Sequence, residues 1–209
     1  MTGVQTCALP IWWIAYQSRI DGNSDIYIIS AQGGNPRRLT AEPSTDTTPA
    51  WSHDRRWVYF ASDRGDRQNR IWKVAFEGGA AVQVTKGVAS MSMESPDGKR
   101  LYFYNREGHL ASMPVEGGPE EAIPELSSMV RTRAWTVSND GIYFYQSKER
   151  LPCVWFFSFA TRKVSMVLKP AKGALTTAPG LDLSPDGRKL LFTQVDQATS
   201  GMLLVENFR

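Results

Sequence analysis

The stretch ESPDGKRLYFYN, residues 94–105, sets the pattern of the whole chain. Related stretches occur at three other places: WSHDRRWVYFAS at residues 51–62, VSNDGIYFYQS at 137–147 and LSPDGRKLLFTQ at 183–194. Their serines, at positions 52, 95, 138 and 184, are 43, 43 and 46 residues apart. A period of this length indicates a repeat protein in which each repeat is one structural unit.

Each stretch opens with the residues of a tight turn. Proline fixes φ at the first turn position, aspartate accepts a hydrogen bond from the turn backbone, and glycine accepts the positive φ that closes a hairpin. These stretches predict a structural turn motif with the following members: Ser52, Asp54, Ser95, Pro96, Asp97, Gly98, Ser138, Asp140, Gly141, Ser184, Pro185, Asp186 and Gly187.

Short β-rich runs follow the turns. The first run after each turn lies at residues 58–61, 101–104, 142–145 and 190–193, and second runs lie at 26–29, 71–75, 154–159 and 202–205. Glycine pairs at 33/34, 78/79 and 117/118 provide a second hairpin signal. The sequence therefore predicts an all-β fold with four strands in each unit of about 43 residues, and it shows no helical pattern.

Several of these runs are almost continuously apolar rather than alternating. Residues 26–29 read IYII, and residues 154–157 read VWFF. Such strands are buried on both faces. The blades of a β-propeller meet this need, because a neighbouring sheet covers each side of a blade. A two-sheet sandwich leaves one face of each sheet in water and favours cleaner alternation, so we predict a β-propeller of four-stranded antiparallel blades.

The motifs SPDGKRLYF, SPDGRKLLF and DGNSDIYIISAQGGNPRRLT resemble the TolB-type repeat, a WD40-like propeller family of bacteria. The resemblance runs from about Trp12 to the end of the chain. It departs from the family pattern at His53 and Asn139, which stand where proline is usual. The resemblance implies the propeller fold but no particular activity.

The first eleven residues, MTGVQTCALPI, match no part of the repeat. They resemble the translation of a widely used sequencing-adapter oligonucleotide. We therefore hypothesise that residues 1–11 are an artefact fused to a truncated reading frame, and that residues 12–209 are an incomplete propeller with about four to five blades present. The expected blades cover residues 12–48, 49–91, 92–134, 135–180 and 181–209.

Composition and charge exclude several classes of function. The net charge of +3 is small and the basic residues are scattered, so we expect no direct nucleic-acid contact from this fragment. No apolar run is long enough to span a membrane. The two cysteines, Cys7 and Cys153, do not form a disulfide framework.

The sequence predicts no catalytic residue, no metal site and no cofactor. The two histidines, His53 and His109, have no interpretable nucleophile and carboxylate beside them, and we expect both to be solvent-facing turn residues. The DGNSD segment at residues 21–25 matches only part of a calcium-binding loop. The turn aspartates Asp54, Asp97, Asp140 and Asp186 recur once per unit, which predicts that they cap turns rather than act as acid/base pairs.

We therefore expect a non-catalytic interaction or sensor module whose partner is a protein, a peptide or a small effector. The tail GMLLVENFR resembles the ends of bacterial regulators in which a DNA-binding winged helix or a protein kinase precedes the propeller. The resemblance thus implies the C-terminal part of a signalling or transcription-regulatory protein. The alternative is a periplasmic TolB-like accessory of the cell envelope, and a prolyl-oligopeptidase-type hydrolase is third. We expect a periplasmic location, with the cytoplasm as the alternative.

Overall fold

The computed structural model describes residues 12–20, 22–127, 134–148, 151–169, 180–184 and 187–193. These residues form β-strands and one short 3₁₀ helix at Pro124–Leu126, with no α-helix among them. The strands, in chain order, are β1 Trp13–Ser18, β2 Asp25–Ser30, β3 Arg37–Arg38, β4 Asp46–Trp51, β5 Trp57–Ser62, β6 Arg70–Ala75, β7 Val82–Gln83, β8 Ala89–Glu94, β9 Arg100–Asn105, β10 Leu110–Pro114, β11 Glu121–Ala122, β12 Trp135–Val137, β13 Gly141–Lys148, β14 Leu151–Ser158, β15 Val164–Leu168, β16 Leu181–Leu183 and β17 Leu190–Phe192.

The strands form five antiparallel sheets that follow one another along the chain. We call them the first blade (β1–β3), the second blade (β4–β7), the third blade (β8–β11), the fourth blade (β12–β15) and the fifth blade (β16–β17). The strand order within each sheet follows the chain order, and the second, third and fourth blades have four strands each. The predicted all-β architecture of an incomplete β-propeller is confirmed. In the part of the chain that the structure describes, no helix is long and apolar enough to cross a membrane.

The predicted runs lie inside observed strands. The first runs fall in β5, β9, β13 and β17, and the run at residues 190–193 ends one residue earlier than expected, at Phe192. The second runs at residues 26–29, 71–75 and 154–159 fall in β2, β6 and β14, and β14 ends at Ser158. The run at residues 202–205 lies outside the described residues.

The second strand of each complete blade is buried on both faces. In β5, Val58 and Phe60 pack against the first blade, while Tyr59 and Ala61 pack against the third. All four side chains are at most 1% exposed. The same division holds in β9 and β13, whose residues contribute alternately to the apolar clusters on their two sides. The apolar core is therefore a series of layers between consecutive blades.

Two threonines tie the connection that follows the outer strand of a blade to the strand beside it: Thr40, in the Leu-Thr pair at residues 39–40, binds β2, and Thr85, in the Val-Thr pair at residues 84–85, binds β6. The Thr40 hydroxyl accepts a hydrogen bond from the backbone N–H of Ile26 at 3.0 Å. The Thr85 hydroxyl accepts one from the N–H of Ile71 at the same distance. Both threonines are buried, so these bonds satisfy backbone donors that water does not reach.

Replacing Phe103 by alanine should destabilise the chain strongly. Phe103 is fully buried between the second and third blades, and its removal leaves a cavity in a layer that both blades share. We expect a loss of about 3–5 kcal/mol in the free energy of unfolding, measured by urea denaturation. Val82→Ala, at a side chain that is 49% exposed, is the matched control and should change this free energy by less than about 0.5 kcal/mol. Equal losses in the two variants would contradict the layered core.

Replacing Thr85 by valine tests the role of the Thr85 hydroxyl in holding this connection to β6. Valine keeps the shape of threonine but leaves the buried N–H of Ile71 without an acceptor, which should cost about 1–3 kcal/mol. Thr161→Val, at an exposed position, is the control. The measurement is the midpoint of thermal unfolding, and a midpoint for Thr85→Val as high as that of the control would show that the bond is dispensable.

Candidate functional site

The connections between strands gather at two opposite ends of each blade. In the second blade, the turn at residues 52–56 and the turn at residues 76–81 lie at one end, which we call the turn end. The connections at residues 63–69 and 84–88 lie at the other, which we call the loop end. The first strands of neighbouring blades contact one another, so β4 and β8 are the innermost strands of their blades.

The predicted turn motif lies at the turn end. In the second blade, the Ser52 hydroxyl donates to Asp54 Oδ1 at 2.6 Å, and the same oxygen accepts the Arg56 N–H at 3.0 Å. Burial raises the pKa of Asp54, but the hydrogen bonds from Ser52 and Arg56 outweigh it and leave the pKa below its ordinary value. The carboxylate is therefore used inside its own turn.

The third blade repeats this arrangement. Ser95 donates to Asp97 Oδ1 at 2.6 Å, and the Lys99 N–H donates to it at 3.1 Å. The Ser95 bond and then the Lys99 N–H hold the pKa of Asp97 below its ordinary value. Pro96 occupies the first position after the serine, and Gly98 has a φ of +69°.

The fourth and fifth units differ in detail. Ser138 accepts the Gly141 N–H at 3.0 Å and the Asp140 N–H at 3.3 Å, so the serine hydroxyl, rather than a carboxylate, receives the turn N–H groups. The expected positive φ is wrong for Gly141. A Cβ there would lie 2.0 Å from the Phe157 carbonyl oxygen, so glycine is required by close approach of β14.

In the fifth unit, Ser184 accepts the Lys189 N–H at 2.8 Å, and Gly187 has a φ of +68°. Pro185 and Asp186 lie outside the described residues. The turn positions are thus distributed one set per blade, and the carboxylates of Asp54 and Asp97 are each engaged within their own turns.

The histidines do not form a site. His53 is exposed, and its N–H donates to Glu94 Oε2 at 2.6 Å, which joins the turn end of the second blade to the third. His109 is half-buried, contrary to the expected solvent-facing position, because it lies directly before the third strand of its blade, and its N–H donates to Asn105 Oδ1 at 2.9 Å. Across the described ranges, no group of three or more His, Cys, Asp or Glu side chains is placed to hold a metal ion.

Two buried aspartates organise the loop end, and the sequence analysis missed the second of them. Asp25, the last residue of the DGNSD segment, lies 2.6 Å from Arg38 Nη2. Burial raises the pKa of Asp25 in spite of this guanidinium. Asp46, at the start of β4, lies 2.8 Å from Arg64 Nη2. Each aspartate is the first residue of its strand, but no repeated motif marks this position, since β8 begins with Ala89.

The carboxylate of Asp46 is the centre of a small network. Its Oδ1 accepts hydrogen bonds from the hydroxyls of Ser44 at 3.0 Å and Ser62 at 2.6 Å. Arg64 Nε donates to the same Ser62 oxygen at 2.9 Å. The network fixes the guanidinium of Arg64 over the rings of Phe60 and Trp72, at 5.2 Å and 4.9 Å from their centroids.

An open pocket of about 470 Å³ lies beside this guanidinium at the loop end of the second blade. We call it the loop-end pocket, and it is lined by Arg64, Gly65, Asp66, Arg70, Trp72, Gln83 and Lys86. Asp66 forms two hydrogen bonds with Arg70, at 2.6 Å and 2.7 Å. The Arg70 bonds lower the pKa of Asp66 to about 2, so this carboxylate is ionised and already paired.

The innermost strands carry an irregularity at the repeat spacing. Thr48 in β4 and Met91 in β8 have φ values of +52° and +53°, and each stands in a bulge of its strand. The Thr48 N–H donates to Gln17 Oε1 of the first blade at 2.8 Å. These bulges turn backbone groups of β4 away from their own sheet and towards the preceding blade.

Comparison with known proteins identifies the fold and a group of relatives. The chain is 44% identical over 59 residues to the Tol-Pal system protein TolB of Bordetella pertussis, a match that covers 28% of this chain and 13% of that protein. It is 41% identical over 51 residues to the same protein of Desulfosudis oleivorans, with 24% and 12% covered. The chain spans less than half the length of the curated relatives it matches.

Solved structures of low sequence identity share the fold. The putative TolB of Agrobacterium tumefaciens superposes with a TM-score of 0.63 at 21% identity, covering 88% of this chain and 72% of that one. A puromycin-hydrolyzing peptidase of Mycobacterium tuberculosis gives 0.54 at 16% identity, with 96% and 36% covered. The model of the TolB beta propeller domain matches residues 13–150, about two thirds of the chain, and the chain therefore belongs to that family.

Proposed function

We propose that this chain is a non-catalytic protein-interaction propeller that works in the periplasm as part of a cell-envelope assembly. The observation that carries the proposal is the identity of 44% and 41% to Tol-Pal system proteins in two bacteria. The envelope role was the alternative to a signalling or transcription regulator in the sequence analysis. We now prefer the envelope role to the regulator, because the relatives that share these segments are named as Tol-Pal system proteins.

The geometry of the blades supports an interaction role. Packed layers between the blades hold each sheet rigid, and the connections at the loop end present polar side chains on that scaffold. The loop-end pocket is the described feature that suits recognition, since it combines an aromatic floor with basic side chains. At the turn end, by contrast, the serine and aspartate side chains hydrogen-bond to each other within the hairpin turns.

A hydrolase role has less support. The likeness to a peptidase at 16% identity concerns the fold alone. The backbone N–H groups of His53 and His109 bond to Glu94 and Asn105, and neither imidazole pairs with a serine hydroxyl within the described residues.

The hypothesis that residues 1–11 are an adapter-derived artefact remains a prediction, since those residues lie outside the described ranges.

Binding to a Pal protein tests the proposed function. The purified 209-residue chain should bind purified Pal of Bordetella pertussis saturably in biolayer interferometry. The affinity should be lower than that of intact Bordetella pertussis TolB, because the chain provides only part of the propeller surface. Intact TolB is the positive control, and the chain unfolded by heat is the negative control.

A hydrolase assay completes this test. The chain should hydrolyse neither prolyl peptides nor puromycin, and a fluorophosphonate probe should not label it. Labelling of a serine together with turnover would replace the interaction module by an enzyme. Absence of Pal binding by a folded chain would remove the envelope assignment.

A further inference from the structure

We propose that the loop-end pocket of the second blade binds a carboxylate side chain from an acidic peptide segment of a protein partner. The pocket is lined by side chains of β6, β7 and the two connections at the loop end. This inference rests on the proposed function, because it names the place and the chemistry of recognition on the same module.

The pocket has a surplus of hydrogen-bond donors. The indole Nε1 of Trp72, one of the lining residues, is buried and has no hydrogen-bond partner among the described residues. Arg64 uses Nε and Nη2 for Ser62 and Asp46, and its Nη1 makes no bond within the described part of the chain. Nζ of Lys86, another lining residue, also makes no hydrogen bond to the described residues. Three N–H groups of this kind suit a ligand that brings acceptor oxygens.

The acceptors nearest to these donors are already occupied. Asp66 accepts two hydrogen bonds from Arg70 and one from the Gln68 N–H at 3.1 Å. Asp46 accepts from Ser44, Ser62 and Arg64. Because both aspartates pair with arginines, and the Glu120 carboxylate accepts the Lys86 and Gly87 N–H groups beside the pocket, the pocket has little net charge. Recognition therefore depends on directed hydrogen bonds rather than on a broad positive field.

The guanidinium of Arg64 and the backbone of Lys86 are held in place before a ligand arrives. Arg64 is clamped by Asp46 and Ser62 and stacks on Trp72, and its side chain is only 15% exposed. The backbone of Lys86 is fixed on both sides, since its N–H donates to Glu120 Oε1 at 2.8 Å and its carbonyl accepts Arg70 Nε at 3.2 Å. A guanidinium that needs little reorganisation lowers the entropic cost of binding.

The pocket suits a peptide better than a free small acid. It is open on one side, so a small acid would stay largely hydrated there. A peptide covers the opening with its own backbone. Gln83 donates through Nε2 to the Thr85 carbonyl at 2.8 Å, which leaves its Oε1 as an acceptor for a peptide N–H. A carboxylate flanked by backbone amides matches both kinds of group.

Isothermal titration of the full chain with a synthetic peptide tests this proposal. The probe is a capped pentapeptide with two glutamates, and its partner probe has glutamines in their place. We expect the glutamate peptide to bind at least tenfold more tightly, since charge-assisted hydrogen bonds are lost in the glutamine form. Free glutarate should bind more weakly than the glutamate peptide.

Two variants with matched controls locate the site. Lys86→Gln removes one donor charge, and Lys99→Gln makes the same change at a turn-end side chain that is 80% exposed. Trp72→Phe removes the indole N–H but keeps a ring beneath Arg64, and Trp57→Phe makes the same change at a tryptophan that lies under Lys73. Lys86→Gln and Trp72→Phe should each weaken the glutamate peptide about tenfold, while the two controls should bind like the parent chain.

The outcomes separate cleanly. Equal affinity for the two peptides, or equal losses in the Lys86 and Lys99 variants, would overturn the site. If glutarate binds as tightly as the glutamate peptide, the proposal that the ligand is a peptide is overturned, and the pocket binds small acids instead. If the chain binds Pal but no acidic peptide, this inference fails and the proposed function stands. A chain that binds the glutamate peptide but not Pal keeps the pocket and loses the Tol-Pal partner.

Discussion

Burial of the central strands on both faces is the constraint on which this structure depends. Phe60 and Tyr59 are neighbours in β5, yet the first packs on the preceding blade and the second on the following one. A single sheet of this sequence would leave one of these aromatic faces in water. Each blade therefore depends on the blades beside it, and most of the stabilising burial of apolar side chains lies in the layers between the sheets. Polar contacts between blades are directional, unlike apolar packing. The hydrogen bond from the His53 N–H to Glu94 therefore helps to fix the position of one blade relative to the next.

This constraint is visible in the sequence, which is why the fold class was predictable. Strands buried on one face alternate polar and apolar residues, whereas residues 26–29 and 154–157 are continuously apolar. The 43-residue period then argues against a single large sheet, because the same turn and the same set of strands recur in each repeat and so form separate units. Most strand boundaries lie within one residue of the predicted runs, as at Phe192 and Ser158, but β13 ends three residues later than its run, at Lys148, and β14 begins three residues earlier, at Leu151.

The site was not predictable in the same way. The loop-end pocket depends on Arg64 and Trp72, which share no motif and meet only because β5 and β6 pair in one register. Nor did the sequence show that Arg55 takes the left-handed position that Gly98 holds in the next blade, at a φ of +60°. Thr48 and Met91 take positive φ at equivalent points, although neither residue type favours it. Tertiary packing imposes the positive φ of Thr48 and Met91, so no local sequence pattern predicts it.

The repeat fixes the strands but leaves the loop end free to vary, and this asymmetry explains why a recognition site arises in one blade. The connection between β5 and β6 covers residues 63–69, whereas the one between β9 and β10 covers only residues 106–109. The longer connection has room for Arg64 and Asp66, which approach Arg70 and Trp72 from above the sheet. The shorter one closes directly, through the Asn105 side chain and the His109 N–H. Because the apolar layers between blades contain no residue of these connections, a blade is able to acquire new donors at its loop end without disturbing the apolar packing between the blades.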